Sequence, residues 1–210
     1  MILPELALQI VYARVAWGLV LAALLVALWR RRASVSPLRA AAVALVCMVL
    51  MGLPGTASPA HWLGLAFQAP SVMLAALCAL SLHKADVLTP EVRLRGALVL
   101  LLIGALLYVD VVGWTAFEWY ALGAEPRVAP LAVLLLGALA LWLVRHPASS
   151  AAAWALLAAV VVYSTLRLPT GNLWDALLDP LLWLACVGQV PVALWRRLRR
   201  PPGHGARPAA

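Results

Sequence analysis

Seven apolar stretches follow one another along this chain, and charged residues are almost confined to the joints between them. The stretches span residues 6–29, 40–53, 61–82, 96–112, 129–144, 151–166 and 177–195. A helix rises about 1.5 Å per residue, so about 20 apolar residues cross a hydrocarbon core. In that core no water serves the backbone amides and carbonyls, which leaves the helix as the fold for apolar segments of this length. The pattern predicts an all-α, polytopic transmembrane bundle of about seven spans. The 40–53 stretch is short and meets the next through Gly52-Leu53-Pro54-Gly55-Thr56-Ala57-Ser58-Pro59, which reads as a tight hairpin. Six spans, with 40–53 as a re-entrant piece, is the alternative.

Composition excludes a water-soluble globular domain. The 210 residues are 65% hydrophobic and 11% charged, whereas soluble domains run near half and a quarter. The net charge of +8 would suggest nucleic acid in a soluble protein. Here its position along the chain matters more. With the N-terminus outside, the inner joints and tail hold 13 of the 16 basic residues, leaving Arg14, Arg127 and Arg167 on the outer half. Cytoplasmic loops carry excess Lys and Arg, so N-out and C-in is the expected orientation, with the basic excess facing the cytoplasm and no nucleic-acid partner. Tryptophans fall near both sets of span ends, as an aromatic belt would; only Trp17 sits deep.

Residues 1–200 read as one helical membrane domain, and 201–210, rich in Pro, Gly and Arg, as a disordered basic cytoplasmic tail. The opening residues lack a basic n-region and a small-residue cleavage site, so the first stretch reads as a retained span. Fifteen arginines against the single Lys84 suggest a GC-rich bacterial genome, hence a multi-pass inner-membrane protein. Cys47, Cys78 and Cys186 are scattered through apolar stretches and form no disulfide framework or metal motif.

Six of the eight acidic residues fall on the outer half, which orientation does not explain. Counting helical rise from each inner charged end places Arg14, Gln68, Asp110, Tyr163 and Asp179 about 22–25 Å above the inner boundary. Five polar side chains from five spans thus share one layer. Ionisable groups at such depth are costly and usually paired or facing a wet interior. Arg14 with Asp110 or Asp179 is the simplest pairing, and it leaves one carboxylate over to bind a cation, a proton or a hydroxyl-rich ligand. Snorkelling to the headgroups is the plainer reading.

Two outer segments carry further candidates. In 110–130, Trp114, Phe117, Trp119 and Tyr120 surround Glu118, a grouping that suits either a sugar or headgroup contact or an interfacial aromatic helix. In 167–180, Asn172 reads as an N-cap with Asp175 at the third helical position, which gives Asp175 a structural role. Asp179, four residues on and directly before Pro180, has no such role at this level and reads as the more chemical carboxylate. Arg14 and Arg167 could hold a phosphate, with Gln68, Trp114, Trp119, Tyr163 and Asp175 as further binding candidates and Asp110, Glu118 and Asp179 as catalytic ones.

No phosphate-binding glycine loop, HExxH or GxSxG occurs, and no cofactor or metal is expected. The loops are short and hold no soluble domain. The leading expectation is a non-catalytic subunit or partner of a cell-envelope complex handling lipid or glycan, embedded in the bilayer beside another membrane protein. An enzyme acting at the outer face on a lipid-linked or headgroup substrate comes second. A small transporter or flippase comes last, because the inner two-thirds of the spans are almost free of ionisable groups.

Overall fold

The computed structural model describes residues 4–84 and 90–199; the expected disordered tail lies outside them. Among these residues there are helices, turns and loops but no strand. The order is α1 (Leu6–Arg30), α2 (Pro37–Met51), a 3₁₀ turn (Gly55–Ala57), α3 (Pro59–Phe67), α4 (Val72–His83), α5 (Pro90–Val111), α6 (Trp119–Leu122), α7 (Val128–Val144), α8 (Ser150–Leu166), α9 (Leu173–Leu177) and α10 (Pro180–Leu198). Each of the seven apolar stretches is therefore helical. Two helices, α1 and the Val92–Val111 part of α5, are long and apolar enough to cross a membrane. The remaining apolar helices are shorter.

Helix starts follow local chemistry. Ser36 caps α2 by accepting the Arg39 amide, and Pro37 occupies the first turn, where its missing N–H costs nothing. Ser71 caps α4 by accepting the Leu74 amide at 3.1 Å.

The third apolar stretch, read as one span, is two helices with a break at 68–71. Pro70 has no amide to continue α3 and biases the residue before it towards extended backbone. Gln68 takes a left-handed φ of 60°, which costs about 1–3 kcal/mol for a side-chain-bearing residue. Carbonyls freed by the break find partners on α1: Trp17 Nε1 donates to the Gln68 carbonyl at 3.1 Å and Tyr12 Oη to the Pro70 carbonyl at 2.6 Å. A broken helix at membrane depth is tolerated only when neighbours satisfy such groups.

Contacts between ends give helix directions. Tyr12 near the start of α1 touches the start of α4, and Arg30 at the end of α1 touches the end of α4, so these two run parallel. Asp179, which opens α10, bonds Ser71, which opens α4, so α10 runs with them. Tyr163 near the end of α8 packs with Val72 at the start of α4, and Tyr108 near the end of α5 stacks on Trp183 near the start of α10. Both α5 and α8 therefore run opposite to α4. The 112–127 and 167–179 loops consequently gather at one end of the bundle, and the Arg30 end lies opposite.

The interior is built from small side chains. Ala16, Ala22, Ala140, Ala153, Ala155 and Ala159 are fully enclosed, whereas Leu102, Leu134, Leu135, Val46 and Trp142 are exposed. Small residues let helix backbones approach closely where no hydrophobic drive separates inside from outside, which is the packing of helices in lipid.

At the Arg30 end, the guanidinium donates to the Ser81 carbonyl at 2.6 Å and the Leu82 carbonyl at 3.0 Å. These are final carbonyls of α4, so the cation meets both unpaired acceptors and the negative end of the helix dipole. Arg30→Ala should destabilise the detergent-purified protein by about 1–2 kcal/mol, and Arg30→Lys should recover only part of this because a lysine lacks the fork. Equal thermal midpoints for wild type and Arg30→Ala would contradict this role.

Candidate functional site

Asp179 lies at the loop-bearing end, where α4 and α10 both begin. Its Oδ1 accepts the Leu182 amide at 2.8 Å, the hydrogen bond of an N-cap, with Pro180 in the first turn of α10. Its Oδ2 accepts the Ser71 amide at 2.6 Å. One buried carboxylate thus serves the positive ends of two helices, each oxygen on a different backbone. The residue that lacked a structural role in the sequence has a complete one.

Asp110, at the end of α5, holds the loop that follows. Its Oδ2 accepts the Tyr120 amide at 2.9 Å, and its Oδ1 accepts the Thr115 hydroxyl. Asn172 joins this loop to the last one. Its amide donates to the Tyr120 carbonyl at 3.0 Å, while its Oδ1 accepts the Trp174 amide at 3.0 Å as the N-cap of α9. Gly123 is the second junction, its carbonyl accepting both the Leu173 amide at 2.9 Å and the Tyr163 hydroxyl at 3.0 Å. Arg167 donates to Tyr163 Oη at 2.8 Å and lies over its ring at 4.9 Å.

Asp175 differs from the other two acids. Among the described residues no backbone amide is bonded to its carboxylate. It accepts the Tyr120 hydroxyl at 2.9 Å on each oxygen, and the Thr170 hydroxyl on Oδ2. It lines a cavity of about 480 Å³. Gln68, Tyr108, Tyr120, Thr170, Trp174 and Asp179 line the cavity with it, together with apolar residues of α3, α5 and the 169–180 segment. Burial pushes the Asp175 carboxyl above its ordinary value, aided by the Asp179 charge, and the Thr170 and Tyr120 hydroxyls offset only part of this. Burial, then the Asp175 charge and hydrogen bond, push the Tyr120 phenol up as well.

The raised carboxyl binds its proton more tightly in the folded than in the unfolded chain. Its contribution therefore favours folding below the ordinary carboxylate value and is lost as pH rises through the raised one. An asparagine cannot ionise, so Asp175→Asn should gain stability relative to wild type as pH rises across that window. Thermal midpoints of the two proteins that keep a constant difference across the window would contradict it.

Of the candidates read from the sequence, the cavity brings together Gln68, Asp175 and Asp179. Asp110, Tyr163 and Arg167 stand behind it and hold the two loops in place. Arg14 does not pair with Asp110 or Asp179; among the described residues those acids bond backbone amides and Thr115. Asp175 and Asp179 do not share a helical face either, because α9 ends at Leu177 and Leu178 is extended at φ −143°, ψ 134°. Glu118 is exposed, makes no capping bond to α6, and lies outside the cavity. Trp114 is exposed, while the carbonyl of Trp119 accepts Trp174 Nε1 at 3.1 Å.

Tyr108, Tyr120, Thr170 and Trp174 are among the lining residues that sequence reading did not nominate. Tyr120 stood within the aromatic cluster, but its partner Asp175 is 55 positions away. Among the described residues no group of three His, Cys, Asp or Glu is placed to hold a metal. Compared with known family models, with curated proteins and with solved structures, the chain matches none of them.

Proposed function

We propose that this chain is a small multi-pass protein of the bacterial inner membrane, with seven spans, its N-terminus outside and its C-terminus in the cytoplasm. In this reading it serves as a non-catalytic subunit or partner of a cell-envelope complex that handles lipid or glycan. The observation that carries the non-catalytic part is the use made of its polar layer. Asp110 and Asp179, the two membrane-depth acids best suited to catalysis, have carboxylate oxygens occupied by backbone amides and a threonine hydroxyl. Acids bonded in this way tie helices and loops together.

Helix direction supports the span count. The parallel run of α1, α4 and α10 against α5 and α8 is what strict alternation of seven spans requires. Lipid-exposed leucines around an alanine-rich interior support the membrane setting. The Arg and Ala bias supports a bacterial source.

The outer-face enzyme remains the second reading, favoured by one feature: Asp175 with two hydroxyl partners in a cavity. Accumulation separates the two. Asp110→Asn should lower the amount of folded protein in the membrane, and any partner retained after mild-detergent purification should fall in the same proportion. Normal accumulation and retention of the partner, with loss of the complex's activity, would favour the enzyme and overturn the subunit reading.

A further inference from the structure

The cavity holds an unusual balance of charge. Among the described residues its lining includes two carboxylates, Asp175 and Asp179, and the rings of Phe67, Tyr108, Tyr120 and Trp174, but no lysine, arginine or histidine. Asp179 is matched by two helix N-termini. Among the described residues Asp175 meets only neutral hydroxyls, so its hydrogen-bonding capacity is largely met while its charge is not neutralised.

A ligand carrying negative charge alone, such as free phosphate or a simple carboxylate, would be repelled here. A sugar would bring further neutral hydroxyls to a group that already has two and would leave the charge as it was. A hard metal ion is usually held by several charged or imidazole ligands, and among the described residues no group of three His, Cys, Asp or Glu is placed to hold one. An organic ammonium meets both demands, since it neutralises a carboxylate and is attracted to aromatic faces. The volume of about 480 Å³ suits a small headgroup. Phe67 and Val111 line the cavity and are themselves exposed, which gives its open side an apolar border. Gln68, also exposed, carries an amide able to donate to a phosphate next to the ammonium.

We propose that this cavity binds a primary ammonium group at Asp175, presented by an aminophospholipid headgroup of the phosphatidylethanolamine type. The lipid source rests on the membrane reading above; recognition of the ammonium group does not. Binding of dihexanoyl phosphatidylethanolamine, dihexanoyl phosphatidylglycerol and free ethanolamine to the detergent-purified full chain tests it, by native mass spectrometry and titration. Wild type is expected to prefer the ethanolamine lipid over the glycerol lipid by about tenfold or more, and Asp175→Asn to remove that preference. Ala66→Trp alters an exposed lining residue of α3 that makes no side-chain hydrogen bond. It should block binding while the thermal midpoint holds.

Competition by free ethanolamine would assign recognition to the ammonium alone. Lipid binding without such competition would add the phosphate and chains to what is recognised. Equal affinity for the two lipids, or a preference that survives Asp175→Asn, overturns the proposal. Neither of those results touches the accumulation of Asp110→Asn or the topology, so this inference and the subunit reading can fail separately.

Discussion

Asp179→Ala is expected to lower the stability of the purified protein by about 3 kcal/mol, since it removes two charge-assisted bonds to buried backbone amides. For a chain of this size that corresponds to a thermal midpoint about 6–12 °C lower. The Leu182 amide would lose its cap, and the Ser71 amide would be left in an apolar junction with nothing to replace the carboxylate. Asp179→Asn should fall between the two. One asparagine oxygen can still cap α10 as aspartate does. Its amide nitrogen, a donor, would then face the Ser71 N–H. A purely chemical role for Asp179 gives a different result: both variants would unfold at the wild-type temperature. Melting of wild type, Asn and Ala forms in one detergent distinguishes the two outcomes.

Gly123→Val is the second large effect. The backbone at Gly123 has φ −66°, open to any residue, so the constraint there is space and not conformation. A Cβ at this position would collide with Asn172 Oδ1 and the Trp174 ring. The carbonyl of the same residue receives Tyr163 and Leu173, so displacement of this backbone would loosen both loops at once. Overpacking of this kind costs about 1–3 kcal/mol, and each of the two hydrogen bonds adds about 1 kcal/mol if lost. A total of about 3–5 kcal/mol should reduce accumulation sharply. Limited proteolysis should then show new cleavage within 112–127 and 167–172. Normal accumulation with an unchanged cleavage pattern would show that the loops do not depend on this junction.

The helical segments were legible because apolar length between charges is a property of the residues alone. Some observed helix ends fall within a residue of those expected, as for 129–144 against Val128–Val144 and 151–166 against Ser150–Leu166, whereas α5 begins six residues early at Pro90. Pro70 announced a disturbance in the third stretch but not a complete break, because the break depends on Tyr12 and Trp17 reaching across from α1. Those bonds join residues more than 50 positions apart, and no local pattern encodes them.

Helical rise gives a position along each helix but no azimuth. Successive residues turn about 100° around a helix, so Arg14 can share the depth of Asp110 and Asp179 and still not meet them. The role of Asp179 was half visible: an aspartate before a proline that opens an apolar run is an N-cap signature. The other half, Ser71, is 108 positions away. Reading Asp175 and Asp179 as one helical face failed for a local reason, since Pro180 starts a new helix and leaves Leu178 extended between them. The capping role expected of Asp175 fails separately: the Asn172 backbone amide donates to the Thr170 hydroxyl at 3.3 Å, and the carboxylate accepts from Tyr120 at the cavity.

The most direct test of the whole arrangement is a pair of topology reporters, one alkaline phosphatase fusion ending near Pro126 and one near Arg145. The loop-bearing end is expected to lie outside, so the Pro126 fusion should be active and the Arg145 fusion inactive. Activity at Arg145 with none at Pro126 would contradict the orientation, and with it the assignment of the acidic layer and its cavity to the outer face.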